Sequence, residues 1–80
     1  MTAPVTTILT PPRRRILAAI RDFHTWHGYA PTVRELADLV GMAPSSVQYQ
    51  LGELRQAGWI RRAPNRSRAL VVLDPATGRP

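Results

Sequence analysis

Residues 45–49, SSVQY, bring two hydroxyls, a carboxamide and a phenol together and carry no charge. Serine, glutamine and tyrosine both donate and accept hydrogen bonds, which is the chemistry needed to match the edges of base pairs. Further along, Arg61, Arg62, Arg66 and Arg68 gather guanidiniums along 61–68 with no acidic residue among them. A guanidinium suits phosphate oxygens and a narrow minor groove. Charge on a strand edge also discourages aggregation. A run of like charge without acidic neighbours favours the polyanion instead. Arg34, inside the segment TVRE, joins these arginines as an expected backbone contact.

No other constellation carries chemistry. His24 and His27 are three apart and offer two imidazoles without a third ligand, so no metal is expected, and they read as a partly buried helix-end pair. There is no glycine-rich phosphate loop after a strand and no nucleophile-base-acid set. The expectation is a chain that is not an enzyme, uses no cofactor and has no evident small-molecule ligand. Trp26 and Trp59 read as packing residues rather than base-stacking platforms.

The composition agrees. Eighty residues suffice for one domain with a small core. All eleven basic residues are arginine against five acidic ones, giving a net charge of +6, the footprint of a polyanion binder. Without cysteine there is no disulfide framework or thiolate metal site, which fits a reducing cytosol. The longest apolar runs, such as ALVVL at 69–73, are too short to span a membrane, and MTAPVTTIL lacks the basic start of a signal peptide. A cytoplasmic, nucleoid-associated chain is expected, with no membrane contact.

Four elements must position these groups. Residues 1–9 read as a flexible arm and 74–80 as a flexible tail, around a domain over 10–73. Thr10 as N-cap and Pro11 open a first helix that runs to about His27, with Ile16, Leu17, Ile20, Phe23 and His27 on one face and Gly28 as its stop. Thr32 to Glu35 spell a capping box for a short second helix over 33–40, with Val33, Leu36, Ala37 and Val40 inward. Gly41 turns the chain, and Pro44 opens a third helix with Val47, Leu51 and Leu54 as its buried stripe and Gly58 as its stop. WIRR at 59–62 and RALVVL at 68–73 read as a hairpin with a basic tip over 63–67. With Leu70 and Val72 facing the core, alternation points Val71 and Leu73 outward.

Two helices joined by a tight glycine turn, with a packing helix before them, describe a helix-turn-helix. Ala37, Gly41 and Val47 fill its small, glycine and β-branched positions, and the basic hairpin extends it to a winged helix. With Val47, Leu51 and Leu54 inward, a step of about 100° per residue puts Ser45, Tyr49, Gly52 and Gln56 opposite them, with Ser46 and Gln48 on the flanks. On an isolated helix this face would be merely solvated. Within a helix-turn-helix it is a reading face for double-stranded DNA. The expected fold is mostly α with a small β-hairpin, three helices plus a wing.

The stretches LTPPRRRILAAIRDF, GYAPTVRELADLVGMA and SSVQYQLGELRQAGWIRRAPNRSRALVV resemble the N-terminal DNA-binding domain of LexA repressors over about residues 9–73. GYAPTVRE and RRAPNRSRA are the most specific parts. The resemblance implies a winged helix-turn-helix that binds an inverted-repeat operator and represses transcription, with base contacts at Ser45, Ser46, Gln48 and Tyr49. Three departures stand out. The turn before the third helix is one residue shorter, so operator identity does not transfer. His24 replaces a usually apolar residue. LexA's C-terminal half, with its Ser-Lys self-cleavage dyad and most of the dimer contact, has no counterpart in these residues, and a chain without lysine supplies no such dyad. Pairing is then expected to be weak and to form on an inverted repeat, using the Val71 and Leu73 edge, the wing or the N-terminal arm. Two rival functions are an interaction adaptor meeting its partner through Val71, Leu73 and Trp59, and a DNA-tethering module of a replication or recombination factor.

Overall fold

The computed structural model describes residues 9–62 and 70–73. Its elements run α1 (Pro11–His27), α2 (Val33–Val40), α3 (Pro44–Gln56), β1 (Ile60–Arg62) and β2 (Leu70–Val72). The termini follow the sequence punctuation. Gly28, Gly41 and Gly58 end the three helices at φ of 79°, 69° and 85°, a region that residues with a Cβ enter at a cost. Thr10 holds the N-cap position of α1 in an extended conformation, yet its hydroxyl caps nothing. Pro11 and Pro12 occupy the first two positions and have no N–H to offer it.

The capping box at the start of α2 is complete. The Glu35 N–H donates to Thr32 Oγ1 at 3.1 Å, and the Thr32 N–H donates to Glu35 Oε1 at 2.9 Å. In a helix of only eight residues these bonds fix much of the first turn. Thr32→Ala is expected to lower stability by about 1 kcal/mol, read as a shift of the urea midpoint with an unchanged slope.

One core joins all the elements. Ile16, Leu17 and Ile20 of α1 meet Leu36, Ala37 and Val40 of α2 and Val47, Leu51 and Leu54 of α3, with Ile60 and Leu70 closing it from the hairpin. Leu9, just ahead of α1, and Val33 are half-buried against the same cluster. β1 and β2 pair antiparallel in the register Ile60 to Val72, Arg61 to Val71 and Arg62 to Leu70. Three helices and a two-stranded wing make this a winged helix-turn-helix.

Three expectations about exposure are corrected. Leu73 is buried, not outward, because β2 ends at Val72 and the Leu73 N–H donates to the Trp59 carbonyl at 2.7 Å, drawing the chain inward beyond the alternation. Val71 is half-buried beside it, so these two do not form an apolar edge. Trp26 does not pack: it is 83 % exposed, whereas Trp59 lies half-buried against the core as expected. His24 and His27 are both exposed rather than partly buried. The His27 ring instead lies 4.2 Å from that of Phe23 and 5.7 Å from that of Tyr29, so the end of α1 is closed by aromatic contact and not by core burial.

Candidate nucleic-acid interface

The buried stripe of α3 fixes the orientation of everything else on the helix. Val47 is fully buried at its first turn, with Leu51 and Leu54 following on the same side. Ser45, Ser46, Gln48 and Tyr49 are thereby all turned to solvent, Tyr49 at 64 %. The face they form carries hydroxyl and amide groups and no formal charge.

An arginine from another helix keeps it so. Arg13 of α1 donates through Nε to Gln50 Oε1 at 2.7 Å and lies 3.8 Å from the Glu53 carboxylate. Glu53 is the one acidic residue of α3, and this pairing ties it to α1 and offsets its charge. Arg13, Arg14 and Arg15 stand at the positive end of the α1 dipole, where a basic run suits phosphate contact and solvation equally well. Arg13 and Arg15 are both engaged within the chain, Arg15 donating to the Val40 carbonyl, one of the groups a helix end leaves unpaired, while its side chain remains exposed. Arg14 is exposed. The two tied arginines brace α2 and α3 against α1. Gln50 and Glu53, three apart on one flank of α3, both meet Arg13, but nothing local in the sequence pairs that flank with α1.

The wing meets α3 at a cleft of about 60 Å³, lined by Gln48, Gly52 and Arg55 of α3 and Arg62 of β1, with Leu51, Ile60 and Leu70 also in its wall. Here the structure brings Gln48, one of the residues expected to read bases, beside Arg62 of the wing. Arg62 shares a strand face with Ile60, while Arg61, one residue earlier, points to the opposite face. Both arginines are exposed. Arg55 was not singled out from the sequence, because a charged residue in a last helical turn is usual. Its place beside Gln48 and Arg62 gives it a part in the site. Gly52 contributes space: a Cβ built there meets nothing within 4 Å. Arg34 is exposed on α2. Arg66, Arg68 and the expected tip over 63–67 lie outside the described residues.

Among the described residues no group of three or more His, Cys, Asp or Glu side chains could hold a metal ion, and no helix is long and apolar enough to cross a membrane.

Comparison with known proteins bears on the same surface. The model of the LexA DNA binding domain matches residues 6–69. The chain is 46% identical over 70 residues to the LexA repressor of Pseudarthrobacter chlorophenolicus, covering 86% of this chain and 28% of that protein. It is 47% identical over 68 residues to the LexA repressor of Frankia alni, covering 84% and 27%. With the LexA repressor of Corynebacterium efficiens it shares 49% over 61 residues, 75% of this chain and 26% of the relative. The chain thus spans about a quarter of the length of these relatives. A family match over most of the chain, on a winged helix-turn-helix with an uncharged helix face beside a basic strand, places it in the family of LexA DNA-binding domains.

Proposed function

We propose that the chain binds double-stranded DNA sequence-specifically as a transcriptional repressor, reading the major groove with Ser45, Ser46, Gln48 and Tyr49. Arg34, Arg55, Arg61 and Arg62, together with Arg66 and Arg68, hold phosphate or enter the adjacent minor groove. The observation that carries this reading is the cleft in which Gln48 and Arg62 meet, since it joins a hydrogen-bonding face to a cation at one edge. Repression is proposed by analogy with the relatives, which are named repressors. A nucleoid location follows from the ligand. The chain reads an inverted repeat as a weak pair.

The adaptor alternative loses its surface, because Leu73 is buried and Trp59 and Val71 are half-buried.

Selection of bound duplexes from a random library tests the proposal, and recovery of no motif would defeat it. With a motif in hand, Gln48→Ala or Tyr49→Ala is expected to cost roughly 1–3 kcal/mol on the preferred site while leaving non-specific binding nearly intact. Arg62→Ala should weaken all duplexes about equally. A uniform loss from both kinds of substitution would show that helix and wing do not divide the work in this way.

A further inference from the structure

Among the described glycines, Gly52 alone stands in the interior of a helix. Gly28, Gly41 and Gly58 are called for by their positive φ, and Gly52 is not among them. Packing does not call for it either, because a Cβ at that position meets nothing within 4 Å. A glycine inside a helix destabilises it relative to alanine. Nothing among the described residues offsets that cost, which directs attention to what approaches the helix from outside.

The surroundings of Gly52 name the chemistry. Positions 48, 52 and 55 lie within about 60° of one another around α3, so Gln48 stands one turn before the gap and Arg55 about one turn after it. Arg62 faces them from β1, across the cleft of about 60 Å³. No acidic residue lines this cleft among the described residues. Glu53, next to Gly52 in the chain, is turned about 100° away and lies beside Arg13. Arg55 and Arg62 have no ion pair among the described residues. Two guanidiniums and a carboxamide around an unfilled notch, without a counter-charge, suit an anion.

We infer that the notch at Gly52 seats a phosphodiester of the DNA backbone between the guanidiniums of Arg55 and Arg62, the missing side chain letting the DNA strand come that close to α3. This deepens the DNA-binding proposal and rests on it. It fixes where the backbone crosses the helix, one turn beyond Gln48, with Ser45, Ser46 and Tyr49 on the groove side of the crossing. Inorganic phosphate offers the same oxygens, so the test separates the two sources.

Gly52→Ala and Gly52→Leu fill the notch in two steps with good helix formers. Both are expected to raise the thermal midpoint, Gly52→Ala by roughly 3–8 °C. Duplex affinity should move the other way, falling about 10- to 100-fold for Gly52→Leu, as for one lost charge-assisted contact, and less for Gly52→Ala. The loss should be similar on preferred and unrelated sequences, since a phosphate carries no base identity. Damage to the fold cannot produce a more stable protein that binds more weakly.

A scan of single methylphosphonates along the duplex identifies the source. Neutralising the seated phosphate should weaken binding of the parent and leave that of Gly52→Leu unchanged, while inorganic phosphate at matched ionic strength should affect the two midpoints alike. Inorganic phosphate that stabilises the parent alone, with no methylphosphonate position telling the two proteins apart, would make the notch a free-anion site and overturn the inference. Unchanged duplex affinity of Gly52→Leu would overturn it too. If the parent binds no duplex, the DNA-binding proposal fails and this inference with it; if the parent binds and the variant binds equally well, this inference fails alone.

Discussion

Raising the salt concentration from about 50 to about 200 mM is expected to weaken duplex binding on the order of 10²–10³-fold, because each neutralised phosphate contributes roughly 0.9 to the slope of log affinity against log salt. Arg34, Arg55, Arg61, Arg62, Arg66 and Arg68 at that rate give a slope of about 5. The structure decides which arginines to leave out. Arg13 is occupied by Gln50 and Glu53, and Arg15 by the Val40 carbonyl, so neither releases counterions from DNA. Fluorescence anisotropy with a labelled duplex across a salt series measures the slope. A value near zero would contradict phosphate attachment by the wing. Arg13→Gln provides an internal check: it should leave the slope unchanged, while Arg62→Gln should reduce it by about 1.

The second large effect is on stability. Leu36 is fully buried at the centre of α2, between α1 and α3, and Leu36→Ala is expected to cost about 2–5 kcal/mol. Domains of this size hold only about 4–12 kcal/mol in total. The variant should therefore lose a large share of its stability, and its DNA binding should fall through the unfolded fraction rather than through any lost contact. Urea denaturation followed by circular dichroism reads the change. Leu39→Ala, the same substitution three residues along on an exposed position, should shift the midpoint by less than about 0.5 kcal/mol equivalent. Similar costs at both positions would mean that α2 does not pack as described.

The helix limits were legible because residues with special backbone chemistry mark them. Pro11 and Pro44 start helices, Gly28, Gly41 and Gly58 stop them, and Thr32 with Glu35 writes a capping box in four letters. Ser45, Ser46, Gln48 and Tyr49 were legible as exposed because the stripe of Val47, Leu51 and Leu54 leaves them no inward direction. What could not be read locally depends on contacts distant in sequence. Arg13 meets Gln50 across a separation of 37 residues, and no periodicity in either helix announces it. The burial of Leu73 comes from one backbone bond to Trp59, which ends the alternation that the strand pattern extends. Trp26 reads as a packing residue by its hydrophobicity, while its exposure is decided by which flank of α1 faces α2.

The neutrality of the α3 face also bears on how such a domain finds its site. Attachment through arginine to phosphate has nearly the same strength at every step along a duplex, so it permits sliding, with little cost for moving one base pair onward. Hydroxyl and amide groups add grip only where the facing bases match them. Because Arg13 holds Glu53, the sole carboxylate on the helix, close to a compensating charge, the face should neither repel the passing groove strongly nor cling to it. Non-specific residence then depends on ionic strength through the wing. The ratio of residence on target to residence elsewhere depends on the helix and should change little with salt. On the proposed division of labour, speed of search and accuracy of arrest are set by different side chains, and a substitution should alter one without the other.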